Sequence, residues 1–212
     1  MTLKVKICGM KDPENIREVS SLRPDFMGFI FFKHSPRYVS ETFTMPVMEK
    51  SVCKTGVFVN EQVDHILEIR KKYKLDYVQL HGNESVSVCE RLKTEGAGVI
   101  KVLHVDEAFD FGYTRDYEKV TDFFLFDTKG KNLGGNGVRF NWKLLYNYNQ
   151  HVPFFLSGGI SPENVTAIRE LKGMNMVGVD VNSGVEMEPG YKNVNQVKQV
   201  IEILKSEAWI TQ

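Results

Sequence analysis

The chain has 212 residues, with 27 Lys+Arg against 27 Asp+Glu and a formal net charge of +0. That length suits one sizeable domain, and the neutral balance gives no support for nucleic acid or an anionic membrane as a partner. Hydrophobic content of 42% and charged content of 25% are ordinary globular values, so any phosphate recognition must be local.

Short β-rich runs alternate with helical patterns along the chain. A strand over 3–8 ends in Cys8-Gly9, and Asp12-Pro13 signals a helix over 13–21, with Pro at its first position. A strand over 26–31 is followed by Ser35-Pro36-Arg37 and a weaker helical pattern over 41–50. A strand over 54–59 leads, past the cap candidate Asn60, to a helix over 62–72 with an apolar stripe of Val63, Ile66, Leu67 and Ile69. A strand over 77–80 ends Gln79-Leu80-His81-Gly82, and a helix is expected over 85–93. The strand over 99–104 precedes an ill-defined helical stretch over 106–119. The strand over 123–127 ends in Asp127-Thr128, before a glycine-rich loop over 130–137 and a helix over 142–148. The strand over 153–156 ends Ser157-Gly158-Gly159, and Ser161-Pro162 is expected to open a helix over 162–171. The strand over 176–181 runs into Asn182-Ser183-Gly184, and a helix over 194–205 closes the pattern with Val194, Val197, Val200, Ile201 and Leu204 as its stripe.

Strands separated by helices imply parallel pairing. Eight such units predict an α/β fold, a (β/α)8 TIM barrel in one domain over 1–212. The competing doubly wound sheet would carry a GxGxxG turn after the first strand, and Cys8-Gly9-Met10-Lys11 is not one. Three cysteines, Cys8, Cys53 and Cys89, show no CxxC pair and no metal-ligand spacing, and no HxH or HxxxH links His34, His81 and His104. No metal is expected. The first residues lack an apolar signal core, and no run approaches ~18 apolar residues. A reducing, cytoplasmic setting without membrane contact is the expectation.

Chemistry-bearing residues collect where strands end, the working face of such barrels. Gly158-Gly159 and Ser183-Gly184 follow strands seven and eight, where backbone N–H groups can approach a phosphate. Asp127 closes the apolar run Phe123-Phe124-Leu125-Phe126, a costly place for a carboxylate unless it is bonded or functional. Cys8 and Asp127 can face each other across the barrel mouth as a base and acid pair. Lys6 lies two residues before Cys8 and points the same way, which predicts a lowered thiol pKa.

Taken together, Lys6-Ile7-Cys8-Gly9, Gly28-Phe29-Ile30-Phe31 with Ser35-Pro36-Arg37, Gln79-Leu80-His81-Gly82, Asp127-Thr128 with the 134–137 glycines, Leu156-Ser157-Gly158-Gly159-Ile160 and Asp180-Val181-Asn182-Ser183-Gly184-Val185-Glu186 resemble the phosphoribosylanthranilate isomerase family. The resemblance spans nearly the whole chain. It implies a cofactor-free barrel of tryptophan biosynthesis that carries out an Amadori rearrangement, with phosphoribosylanthranilate as its small-molecule substrate. It implies Asp127 as the general acid and Cys8 as the general base. Arg37 is implied to hold the anthranilate end, His81 to line the pocket, Asp180 to bond a sugar hydroxyl, and Gly158, Gly159, Ser183 and Gly184 to bind phosphate. A stand-alone monomer or homodimer is expected. Asn136 departs from the Thr or Ser usual in the family's glycine loop, and Asn193 from the common Asp before the last helix. The rival readings are another sugar-phosphate isomerase or epimerase barrel, and a non-catalytic barrel that binds a phosphorylated metabolite.

Overall fold

The computed structural model describes residues 2–128 and 140–206. The expected glycine-rich loop over 130–137, with Asn136, lies outside the described residues.

Eight parallel strands close into a barrel in sequence order. They are β1 (Lys4–Ile7), β2 (Phe26–Ile30), β3 (Cys53–Phe58), β4 (Tyr77–Leu80), β5 (Gly98–Val105), β6 (Phe123–Thr128), β7 (Phe154–Leu156) and β8 (Met176–Val181). Closure comes from β1, which pairs with β2 on one side and β8 on the other, Lys6 standing opposite Asp180. Among the described residues four α-helices cover the outside: α1 (Pro13–Ser21), α2 (Val63–Tyr73), α3 (Val86–Thr94) and α4 (Val194–Ser206). A two-stranded hairpin, β9 (Glu186–Glu188) with β10 (Tyr191–Lys192), follows β8.

Local chemistry sets these boundaries. Asp12 accepts from the backbone N–H of Glu14 and Asn15 at 3.0 and 2.8 Å, so α1 starts at Pro13; such a cap contributes about 1 kcal/mol. Asn193 does the same for α4, accepting from Asn195 and Gln196 at 3.1 and 3.2 Å. The departure at that position therefore keeps the capping oxygen. Val197, Val200, Ile201 and Leu204 turn inward from α4. Three aspartates recur at the bottom of the barrel, each just before an even strand. Asp25, Asp76 and Asp122 accept from the N–H of Val5, Lys54 and Val99 at 2.9, 2.7 and 2.7 Å, tying β2, β4 and β6 to β1, β3 and β5.

Five expectations need correction. No helix forms over 41–50, where the chain runs through turns and irregular backbone. Pro46 lacks the N–H a helix needs, and Phe43 packs into the core while Tyr73 Oη bonds its carbonyl at 2.9 Å. The other three helices are 3-10 segments, Phe111–Tyr117, Trp142–Asn147 and Val165–Leu171. The last of these starts after Asn164, so Ser161-Pro162 does not open a helix. Asn60 does not cap α2; its Oδ1 accepts from Asn83 N–H at 2.7 Å and joins the loops after β3 and β4.

Alternate strand residues enter the barrel. Phe26, Ile100, Val102, Leu125 and Phe155 pack together as an apolar floor. Lys6 and Gln79 are fully buried, and toward the strand C-termini Cys8, Asp127 and Asp180 are nearly so. The interior thus changes from apolar to ionisable along the barrel axis.

Candidate active site

One cavity opens at the C-terminal ends of the strands. Cys8, Arg37, His81, Asp127, Gly158, Gly159, Asp180, Ser183 and Gly184 all line it. Gln79, Thr128, Ser157 and Asn182 share its wall, with Ile30, Phe32, Val57 and Val59 as an apolar side.

β1 supplies the thiol and the ammonium beneath it. Lys6 Nζ lies 2.7 Å from Asp180 Oδ1, and neither side chain is more than 5% exposed. Burial works against the Lys6 charge, yet Asp180 and Cys8 hold the ammonium above its ordinary range. Burial pushes the Cys8 thiol above its ordinary value of 9.0; Lys6 and Lys192 pull it back and Asp180 opposes them. The lowered thiol expected from Lys6 is therefore corrected: the ammonium acts in the expected direction, and burial outweighs it. Gly28 on β2 makes the space for both groups. A Cβ there would stand 2.7 Å from Cys8 Sγ and 3.1 Å from Lys6 Nζ.

β6 supplies Asp127. Its Oδ1 accepts from Thr128 N–H at 2.9 Å, and its Oδ2 lies 3.5 Å from His81 Nε2. Burial pushes the carboxyl up, and His104, Thr128 and Ser157 offset only part of that. This is the direction an acid needs if it is to keep its proton near neutral pH. His81 is driven down to about 3 by burial, with His104, Lys6 and Lys101 adding to the effect. The imidazole is neutral. His81, His104 and Asp127 can bring one ligand atom each within 4.8 Å of one another. Their spacing along the chain hid this, because the three converge from the residue after β4 and from β5 and β6. His104 Nε2 is already hydrogen-bonded to the His81 carbonyl at 3.1 Å.

Arg37 lines the cavity with part of its fork already engaged. Its Nε and Nη2 meet Glu186 at 2.6–3.0 Å, and Lys192 Nζ holds the other side of that carboxylate at 2.6 Å. Burial opposes the Glu186 charge, but Arg37 and Lys192 keep the carboxyl below its ordinary range. Lys192 itself is lowered to about 8, chiefly by burial. Lys192 Nζ also reaches Asn182 Oδ1 at 2.7 Å. Gly9, at φ +74, lets this cluster close, since a Cβ there would lie 2.6 Å from Asn182 Oδ1 and 2.7 Å from Arg37 Cδ.

The glycine loops pack on each other. Gly158 and Gly159 have φ of +97 and +64, and Gly184 approaches so closely that a Cβ would stand 2.0 Å from the Ile160 carbonyl oxygen. Ser183-Gly184 opens the short 3-10 turn Ser183–Val185. Sequence reasoning assigned no role to Gln79, Gly28, Glu186 or Lys192. Gln79 was open to the same two-residue argument that linked Lys6 to Cys8, whereas Glu186 is 149 residues from Arg37 and left no local signal.

A closed eight-stranded barrel with a buried thiol, a raised carboxyl and two glycine loops at its mouth defines a barrel built for proton transfer. The sequence profile of N-(5'phosphoribosyl)anthranilate (PRA) isomerase matches residues 5–203, and the chain belongs to that family. It is 44% identical over 202 residues to the N-(5'-phosphoribosyl)anthranilate isomerase of Parabacteroides distasonis, covering 93% of this chain and 91% of the relative. It is 38% identical over 207 residues to the Thermotoga neapolitana protein of the same name, covering 96% and 98%. The crystal structure of phosphoribosyl anthranilate isomerase from Thermotoga maritima superposes with a TM-score of 0.83 at 32% identity, covering 97% of this chain and 100% of the other. A phosphoribosyl anthranilate isomerase solved in complex with reduced 1-(o-carboxyphenylamino)-1-deoxyribulose 5-phosphate superposes at 0.80, with the same identity and coverage.

Proposed function

We propose that this chain catalyses the Amadori rearrangement of N-(5'-phosphoribosyl)anthranilate to 1-(2-carboxyphenylamino)-1-deoxyribulose 5-phosphate, a step of tryptophan biosynthesis. The observation that supports it most is the shared cavity of Cys8 and Asp127, walled by the two glycine loops. Asp127 gives its proton to the furanose ring oxygen as the C1′–O bond breaks, and the anthranilate nitrogen lone pair forms the C=N bond. Cys8, as thiolate, removes the C2′ proton, and the enolamine so formed tautomerises to the ketone. The raised carboxyl suits the first step. The thiolate needed for the second is favoured by Lys6 and Lys192 against the cost of burial.

Backbone groups of Gly158, Gly159, Ser183 and Gly184 bind the phosphate, and Asp180 bonds a sugar hydroxyl. Arg37 serves the anthranilate end with its guanidinium face and its remaining nitrogen, its other donors being spent on Glu186. His81 lines the pocket beside the acid. We read one barrel domain over the whole chain, working without a cofactor in the cytoplasm as a monomer or homodimer. Among the described residues no helix is long and apolar enough to cross a membrane.

The test is turnover of phosphoribosylanthranilate, followed as loss of anthranilate fluorescence. Wild type is expected to turn over and Cys8→Ala and Asp127→Ala to fail. No turnover by wild type, or full activity in both variants, overturns the reading.

A further inference from the structure

Gln79 lies on β4 and His81 directly follows its last residue, Leu80; the two stand two apart and both line the cavity. Gln79 is fully buried. Its Nε2 lies 3.1 Å from His81 Nδ1, and His81 Nε2 in turn lies 3.5 Å from Asp127 Oδ2. Gln79 Oε1 and His81 Nε2 are buried without another hydrogen-bond partner among the described residues. An amide N–H that donates to Nδ1 needs a lone pair there. A neutral imidazole then carries its one proton on Nε2, the nitrogen that faces Asp127.

We propose that Gln79 is a positioning residue that fixes His81 as its Nε2–H tautomer, and that this N–H stabilises the Asp127 carboxylate formed when the acid delivers its proton. The proposal rests on the acid role of Asp127 stated above. The opposite tautomer would turn a lone pair toward Asp127, and the Asp127 O–H would then donate to His81 and be held back from the substrate. At 3.5 Å the contact is longer than an ordinary hydrogen bond; it tightens as charge develops on the carboxylate. The charged and titratable groups facing this pair are His104 from β5, Lys6 from β1 and Asp180 from β8, while Lys101, on the opposite face of β5 and paired with Glu84, adds a more distant charge. In the proposed tautomer neither His81 nitrogen has a free lone pair, so a metal drawn to His81, His104 and Asp127 would have to break the Gln79 bond first.

The experiment joins long-range proton–nitrogen NMR of histidine-labelled protein to steady-state kinetics. Wild-type His81 is expected as the Nε2–H tautomer. Gln79→Met should mix the tautomers and lower kcat about 10- to 100-fold, the range for a hydrogen bond to a charged group, with KM within about twofold. Gln79→Glu should place the proton on Nδ1 and shift the pH dependence of kcat. A wild-type Nδ1–H tautomer overturns the proposal even if no variant folds. An altered tautomer in Gln79→Met with unchanged kcat and pH profile overturns it as well. If wild type fails to turn over phosphoribosylanthranilate, the reaction assignment falls, while the spectrum still reports whether Gln79 sets the tautomer.

Discussion

Lys6 Nζ meets Asp180 Oδ1 at 2.7 Å inside the barrel, so the cation beneath Cys8 is shared with a carboxylate. Asp180 raises the thiol pKa and Lys6 lowers it. In Asp180→Asn the ammonium loses its anion and turns its full charge on the sulfur. Alkylation of Cys8 by iodoacetamide should then rise at lower pH than in wild type, whose thiol burial holds above its ordinary range. The variant should also lose about 3–5 kcal/mol of stability, because a buried cation is left unpaired. A midpoint equal to or above that of wild type would show that Asp180 does not oppose Lys6.

Gly28 faces the same two groups from β2. Gly28→Ala would bring a methyl to 2.7 Å from Cys8 Sγ and 3.1 Å from Lys6 Nζ. The sulfur must move, and a displacement near 1 Å costs on the order of 100-fold in rate. Overpacking is expected to cost about 1–3 kcal/mol, so the barrel persists. Urea unfolding alongside kcat measures both. A folded variant at wild-type kcat would mean the thiol position is not critical.

The barrel was legible because each strand and its crossover leave separate signals, and eight repeats average out local errors. The place of Cys8 and Asp127 at the barrel mouth was legible because each stands at the end of a strand just before a βα loop. What stayed hidden depends on neighbours that only closure brings together. Gly28 is constrained by β1 across a strand pair. Arg37 finds Glu186 through the hairpin after β8. The thiol's direction was misjudged because Lys6 is visible in the sequence, while the burial that opposes it is a property of the finished mouth. The helix expected over 41–50 is absent because the weak pattern there contains Pro46, which lacks the N–H a helix interior needs.

Arg37→Lys tests whether the planar fork matters apart from charge. A lysine cannot make the two-nitrogen contact with Glu186. Losing an oriented, charge-assisted contact of about 1.5–3 kcal/mol predicts a KM raised roughly 10- to 100-fold. The change in kcat should be smaller, since Arg37 carries no proton in the proposed steps. Steady-state kinetics separates the two constants. An unchanged KM would remove Arg37 from substrate binding.

Asp127 carries the opposite sign from an ordinary paired carboxylate. Burial raises its pKa in the folded protein. Below the unfolded value of about 3.9, both states hold the proton and the side chain carries no penalty. As pH rises through the folded value, the unfolded chain gives up its proton more readily, and that stability is lost. At neutral pH Asp127 is therefore a cost to the fold. Asp127→Asn keeps an oxygen for the Thr128 N–H and removes the ionisation. It should stabilise the protein at pH 7 by about 0.5–2 kcal/mol, with the gain shrinking below pH ~3.9. Its kcat should fall about 100- to 10,000-fold, the usual contribution of a general acid. Thermal melts at both pH values, read with the fluorescence assay, decide the matter. A variant less stable than wild type at pH 7 would mean that Asp127 is held as a stabilising carboxylate and does not keep its proton as an acid.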